Sequence, residues 1–305
     1  YLDVPGLSRR VVDFCDVDSA KWTQYAADRR WPMSWLYRRE GERLLDFERR
    51  TAAAVEASLF VTEAEAEVFR RAAPEVGHRV GVMQNGVDAE YFSPEHAGVS
   101  PYPGGGPVIA FSGAMDYWPN VDAVCWFATE LLPVIRRAVP GVRFWIVGMN
   151  PAPAVQALAG EDVVVSGTVP DVRPYLAHAD LVVAPLRIAR GIQNKVLEAM
   201  AMARPVVLSA APAVGLAARD GQECSIAADG DAFCARAVEL LGDPARRAAI
   251  GEAARACVLG AYSWSAHLRT LDWLLDAEAS DGGSAPAALA GEAAAPAAPA
   301  FVRMP

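Results

Sequence analysis

Lys195 and Glu198 stand three positions apart inside an otherwise apolar run, with Val196-Leu197 between them and Ala199-Met200-Ala201 after them. On a helix that spacing puts an ammonium and a carboxylate on one face. With such neighbours Glu198 is expected to face a core or a cleft, and a buried carboxylate is costly unless something pairs with it or hydrogen-bonds it. Arg187 and Arg190 lie just upstream, so three cations gather where the helix should begin, in a chain of net charge -9. Cations and a helix N-terminus together favour a diphosphate. The plainer alternative is a surface pair between Lys195 and Glu198.

The elements needed to hold such a site are legible around it. A strand is expected over 181–184 and a helix over 192–203, joined by a loop carrying Pro185, Arg187, Arg190 and Gly191. Further strands are expected over 108–111, 144–147, 163–165 and 206–208, with helices over 121–137 and 172–178. Near-continuous apolar strands alternating with helices predict a parallel sheet covered on both faces, and ligands then sit beyond the carboxyl ends of its strands. Two other strand ends carry residues of interest. Ser112 to Asn120 follows the first strand, and there Gly113 would admit an anion to the backbone, with Asp116 and Asn120 nearby. A lone glycine after a strand also reads simply as a turn. Ser166 to Asp171 follows the strand over 163–165. Gly167 to Val169 could border a nucleobase with backbone groups, while Asp171 caps the next helix.

Upstream, Val11 to Phe14 reads as a strand, Asp16 to Ser19 as a charged loop, and Trp35 to Glu56 as an amphipathic helix. A strand over 58–61, a helix capped by Thr62 with Glu65 at the third position, a strand over 80–83 and an Asn85-Gly86 turn complete this part. Four prolines and three consecutive glycines within 93–107 mark a linker. Helices over 232–241, 244–259 and 265–277 follow Cys224, and beyond Ser280 the chain is too poor in large apolar residues to order itself. The expected layout is therefore 1–92, the later part of an acceptor-side Rossmann-like domain; 93–107, a linker; 108–262, a nucleotide-sugar domain; 263–279, a C-terminal helix; and 280–305, a disordered tail. The chain opens with Tyr1 inside a folded-looking segment, so residues upstream of it are expected.

Composition narrows the class. The chain is 53% apolar and 21% charged, as a globular protein with a real core would be, and its acidity argues against general nucleic-acid binding. Five cysteines form no C-x-x-C, and the four histidines are scattered, so no metal or redox motif emerges. No apolar run reaches the roughly 18 residues needed to span a membrane. G-x-S-x-G is absent, which leaves serine-hydrolase chemistry unsupported. Asp16-Val17-Asp18 has the form of a metal-binding D-x-D, but it lies far in sequence from the cationic cluster, which favours an acceptor-side or structural loop.

The stretch Arg190-Gly191-Ile192-Gln193-Asn194-Lys195-Val196-Leu197-Glu198-Ala199-Met200-Ala201, with Arg204-Pro205-Val206-Val207 after it, resembles the later half of the E-G-F-G-x-x-x-x-E-A-M-A signature of the retaining glycosyltransferases of family four. Asn85-Gly86-Val87-Asp88 resembles that family's turn before the interdomain linker, and Asp16 to Trp22 resembles a branch tied to exopolysaccharide and exosortase (PEP-CTERM) loci. The resemblance implies a GT-B fold, two Rossmann-like domains facing across a cleft, the front one incomplete here. It implies a bacterial, metal-independent hexosyl transferase that needs no cofactor and uses a UDP-, GDP- or other nucleotide-sugar donor. The implied acceptor is a glycan or a lipid-linked sugar in exopolysaccharide biosynthesis. The protein would bind no nucleic acid and work in the cytoplasm, with peripheral association at the inner face of the membrane.

By the same resemblance Glu198 holds the ribose hydroxyls, and Lys195 with Arg187 or Arg190 neutralises the departing diphosphate. Gly113, Asp116, Asn120, Gly167, Val169, Gly191, Gln193 and Asn194 surround the donor, and Asp16, Asp18 and Ser19 lie on the acceptor side. Two departures stand out: Arg190 replaces the first motif glutamate, and Ala114 and Asn120 stand near places where relatives carry Arg and Lys. A two-domain binding protein without chemistry and a GT-B epimerase are the competing readings.

Overall fold

The structure, a computed structural model, describes residues 9–27, 29–189, 191–264, 268 and 271. Apart from 268 and 271, the expected helix over 265–277 lies outside the described residues, as does the tail from 280. The chain divides into two compact units, one ending at Met83 with a return after Leu268, the other running from Gln84 to Leu268.

The first unit comprises β1 (Val11–Cys15), α1 (Asp18–Ala27), α2 (Met33–Ala53), β2 (Ala57–Phe60), α3 (Glu63–Ala72) and β3 (Val80–Val82). Its strands pair in parallel in the order β1-β2-β3. Phe14, Phe60 and Phe69 form the aromatic centre, with ring centroids 4.9 to 5.7 Å apart. Three parallel strands with helices are compatible with part of a Rossmann-like domain. The charged loop expected at Asp16 to Ser19 is instead half helix, because Asp18 supplies a carboxylate to the first turn of α1. Thr62 does cap α3 by accepting the Glu65 amide at 3.2 Å. The Glu65 carboxylate does not complete the box: it accepts the Val17 amide at 2.9 Å and so fastens the start of α1.

The second unit carries β4 (Val108–Ser112), α4 (Trp118–Trp126), α5 (Leu132–Ala138), β5 (Arg143–Val147), α6 (Pro153–Gln156), β6 (Val163–Gly167), α7 (Arg173–His178), β7 (Leu181–Ala184), α8 (Asn194–Ala201), β8 (Val206–Ser209), α9 (Ala210–Ala213), β9 (Ser225–Ala227), α10 (Gly230–Gly242) and α11 (Pro244–Ala261). Six parallel strands run in the order β6-β5-β4-β7-β8-β9. Alternation along the central strands divides the core in two. Ile109, Phe111, Leu181, Val183 and Val207 pack on one face beside α4, α5 and α10, while Ala110, Val182, Ala184, Val206 and Leu208 pack on the other beside α8 and α11. Strand β9 was not visible in the sequence, since three residues give no periodicity.

Three expectations need correction. The helix expected over 121–137 runs on through α4 and α5 but is not regular: it carries a π turn at Phe127–Leu131, because Pro133 brings no amide and its ring cannot sit under a regular helical carbonyl. The segment 93–107 is not a free linker, and the compact units divide at 83–84 rather than 92–93. Tyr102 anchors it: its hydroxyl donates to the Tyr175 carbonyl at 2.5 Å and its ring lies 5.0 Å from that of Trp145. Gly86 does not adopt the positive φ of an Asn-Gly turn; a β-carbon there would come within 2.8 Å of the Trp264 ring.

Helix α8 ends where its sequence says it must. Ala203 turns left-handed (φ 55°), the Arg204 amide returns to the Ala199 carbonyl at 3.0 Å, and Pro205 prevents continuation. Arg255 on α11 clamps this end, donating to the Ala201 carbonyl, to Phe92 O at 3.2 Å and to Ser93 Oγ at 3.3 Å. Arg255→Ala strands these partly buried acceptors and is expected to lower stability by about 2–3 kcal/mol, read as a shifted urea midpoint at unchanged slope.

Candidate functional site

The strand order reverses between β4 and β7, which makes the space beyond their carboxyl ends the natural ligand crevice of this sheet. A cleft of about 550 Å³ opens there, within the range of small-molecule sites. Its lining comes from the ends of β4, β5 and β6 and the start of α8, including Gly113, Gly148, Thr168, Gln193, Lys195 and Glu198.

The floor is backbone. Gly113 and Gly148, after β4 and β5, adopt φ of 154° and 157°, and a β-carbon on Gly148 would stand 1.7 Å from the Gly113 carbonyl oxygen. Only glycine allows the two strand ends to approach so closely. Gly113 N donates to Val147 O at 3.0 Å, and Met115 N to Met149 O at 2.8 Å, which locks the two loops together. Gly148 and Met149 were not singled out from the sequence. The signal was available, since Gly148 ends a strand just as Gly113 does.

Lys195 enters from the first turn of α8. Its Nζ donates to Asn120 Oδ1 and lies 4.7 Å from the Phe111 ring centroid. Asn120 is itself fixed, its Nδ2 donating to the Ala114 carbonyl at 2.9 Å. Burial lowers the ammonium's pKa to about 8, with Glu198 acting in the opposite direction. One turn on, burial raises the Glu198 carboxyl above its ordinary value, partly offset by Lys195. Among the described residues the Glu198 carboxylate has no hydrogen bond and no ion pair, with Lys195 or any other group. The surface pair is therefore not what forms: both groups face the cleft with capacity to spare.

Of the other residues singled out, Val169, Gln193 and Asn194 line the cleft with Gly113 and Asn120. Gln193 precedes α8 in an extended conformation, and its side chain donates to Gly191 O at 3.2 Å. Gly191 does not line the cleft; at φ 61° it shapes the loop that leads into α8. Gly167 does not line it either, and its carbonyl accepts the Gly148 amide at 3.3 Å. Arg187 does not face the cleft: it is taken up by Asp122 on α4, with Nε 3.0 Å from Oδ2, and lies over the Trp126 ring at 5.4 Å. Asp116 is exposed and accepts from Asn150 Nδ2 at 3.1 Å, outside the lining. Arg190 lies outside the described residues.

In the first unit, the Lys21 ammonium bonds both Asp16 and Asp18, at 2.8 and 2.9 Å. Ser19 is buried and spends its hydroxyl on Glu48 at 2.6 Å, with its amide on the same carboxylate at 3.1 Å. These contacts make the Asp16 to Ser19 segment a structural start for α1 and replace the acceptor-side reading of Ser19. Among the described residues no cluster of three metal-ligating side chains occurs.

A six-stranded parallel sheet with its cleft at the strand-order reversal defines a doubly wound class of α/β domain. Comparison with known proteins narrows the class: residues 106–243 match the family model described as Glycosyl transferases group 1. That matched segment contains Gly113, Gly148, Lys195 and Glu198. No curated protein sequence matches the chain. Among solved structures, a glycosyltransferase from Rickettsia africae ESF-5 is similar at 14% identity and a TM-score of 0.61, over 74% of this chain and 64% of that one. Sucrose-phosphate synthase from Thermosynechococcus elongatus is similar at 17% identity and a TM-score of 0.65, over 87% of this chain and 66% of that one. Anabaena Alr3699/HepE in complex with UDP and glucose is similar at 17% identity and a TM-score of 0.64, over 88% of this chain and 71% of that one. At these identities the likeness is one of fold, the parallel α/β fold of GT-B glycosyltransferases. The chain spans less than two thirds of the length of the first structures it matches.

Glu198 offers a direct check on the site's electrostatics. Its folded-state pKa lies above the unfolded value, so the ionised group disfavours folding at neutral pH, and that cost is relieved as pH falls through the folded-state pKa. Glu198→Gln is expected to raise stability at pH 7 by on the order of 1 kcal/mol, with the gain shrinking under mildly acid conditions. Thermal unfolding of both proteins across pH 5 to 8 measures it; a destabilised Gln variant at pH 7 would mean the carboxylate has a partner in the folded state.

Proposed function

We propose that the protein transfers a sugar from a nucleoside-diphosphate sugar to a glycan or lipid-linked acceptor, with retention at the anomeric carbon and without a metal, in bacterial exopolysaccharide biosynthesis on the cytoplasmic side of the membrane. The observation that carries this is that Lys195 and Glu198 stand half-buried at the α8 entrance with no ion pair between them, in a cleft at the strand-order reversal. The group 1 glycosyltransferase match over 106–243 and the fold shared with an Anabaena protein crystallised with UDP and glucose support the same reading.

The chemistry follows from where charge develops. Breaking the bond between sugar and phosphate leaves positive charge on the anomeric carbon and negative charge on the diphosphate. The Lys195 ammonium and the free amides at the start of α8 are held ready for the second of these, in a site where burial strengthens every charge. The two oxygens of the Glu198 carboxylate can accept from the two hydroxyls of a ribose diol. The glycine floor lets backbone approach the phosphates. Arg190 is assigned to the same charge from its place in the cationic run that leads into α8.

Binding should report the pKa of Lys195 directly. Only the ammonium attracts the diphosphate, so affinity for UDP or GDP is expected to fall as pH rises through about 8, approaching tenfold per unit. Lys195→Ala is expected to weaken binding by about tenfold to a hundredfold and to abolish that dependence. Titration calorimetry from pH 6.5 to 9.5 measures both. Release of UDP or GDP from the matching sugar nucleotide, retained in EDTA and lost in Glu198→Ala, tests the transferase reading. Nucleotide binding without any release, with acceptor glycans present, would leave a binding protein.

A further inference from the structure

The first unit carries a surface that the sugar-transfer chemistry does not use. Three of the chain's eight tryptophans, Trp22, Trp31 and Trp35, lie within 14 positions at the junction of α1 and α2. Large apolar groups are usually buried, and scattered single exceptions need no explanation. Here the exceptions cluster within one short stretch of chain. Trp31 is 81% exposed, Trp35 58% and Tyr25 53%, with Met33 and Leu36 exposed beside them.

The charges interleaved with these rings are predominantly basic, and of the arginines Arg39 is paired with Glu40 at 3.0 Å. Residues 26–39 hold four arginines and a single acid, in a chain whose net charge is -9. Arg29, Arg30 and Arg38 are exposed, and the Arg39 guanidinium lies 5.9 Å from the centroid of the Trp35 ring. Trp22 packs edge-on against Tyr37, centroids 5.2 Å apart, and against Tyr25 at 6.4 Å. Together with Arg29 these rings bound a shallow basin of about 540 Å³, apolar on its walls with a guanidinium at its rim.

Aromatic rings with an apolar body and a polar edge, set among arginines, match the boundary between lipid headgroups and acyl chains. Arginines near an anionic bilayer gain from its surface potential, and their long stems let the charge reach phosphate while the rings lie lower. No helix among the described residues is long and apolar enough to cross a membrane.

We propose that the α1–α2 junction is a docking surface for an anionic lipid bilayer, with Trp31 and Trp35 entering the interfacial layer and Arg29 and Arg30 pairing with lipid phosphates. This goes beyond the donor-site reading and depends on none of its residues. Charge complementarity selects the occupant: a neutral apolar partner would leave Arg29, Arg30 and Arg38 desolvated without compensation.

The test is co-sedimentation of the full chain with vesicles of phosphatidylcholine alone and of phosphatidylcholine mixed with phosphatidylglycerol. Binding is expected only to the anionic vesicles, and to weaken as salt is added. Arg29→Glu with Arg30→Glu is expected to weaken binding by more than about tenfold, given about fivefold per arginine near such a surface. Trp31→Ser with Trp35→Ser is expected to lower it by a similar factor at unchanged circular dichroism, since both rings are already exposed. Glu198→Ala must sediment like the parent, which separates this surface from the donor site. Equal binding to neutral vesicles, binding that survives both double variants, or no sedimentation with any vesicle overturns the proposal, the last of these pointing to a protein partner for the junction.

Discussion

The second unit is organised around one electrostatic constraint: a lysine and a carboxylate stand half-buried at the start of α8 without closing an ion pair. Burial pushes both towards their uncharged forms, as the lowered Lys195 and raised Glu198 pKa values record. A fold would ordinarily relieve such a cost by closing the pair. Here Lys195 is drawn aside to Asn120 and the Phe111 ring, and Asn120 is itself tied to the Ala114 carbonyl. Lys195 stays available because Asn120 and Phe111 hold it without cancelling its charge, and Glu198 because no described residue bonds it, an arrangement that favours a ligand bringing the missing counterparts.

Several features far from the cleft serve this arrangement. The left-handed stop at Ala203 and the Arg255 clamp fix the far end of α8, and so the register at which Lys195 and Glu198 present themselves. The alternation of β4 and β7 side chains between two cores keeps Phe111 on the face where Lys195 can lie over it. The first unit treats its charges differently. Asp16 and Asp18 share Lys21, and Glu48 is consumed by Ser19, so a motif that looks metal-binding in sequence is spent internally.

The parallel sheet, and with it the location of the cleft, could be read from the order of apolar strands and helices because burial on both faces leaves a periodicity that no tertiary contact hides. Lys195 and Glu198 were legible for a related reason, since charges inside an apolar helical run need an explanation that lies off the chain. What failed depended on partners distant in sequence. Arg187 belongs with Asp122, 65 positions away, and no local pattern distinguishes it from a cleft arginine. Tyr102 turns a Pro- and Gly-rich segment into packed structure through contacts with Trp145 and Tyr175. Pro133 was visible, but its effect, a π turn in place of a break, depends on what the flanking turns pack against. Gly148 differs from these: its signal was local and the same as that of Gly113, and it went unread.

The ends of the second unit are held side by side. The Val87 amide donates to Tyr262 O at 2.8 Å and Val87 bridges Ser263, while the Tyr262 hydroxyl accepts the Ala217 amide at 2.6 Å. A stretch of polypeptide that leaves close to where it enters is, topologically, an insertion in the chain. Residues 84–268 thus have the architecture of a cassette, one that could be grafted between other strands or rejoined in a new order without disturbing the glycine floor or the α8 entrance.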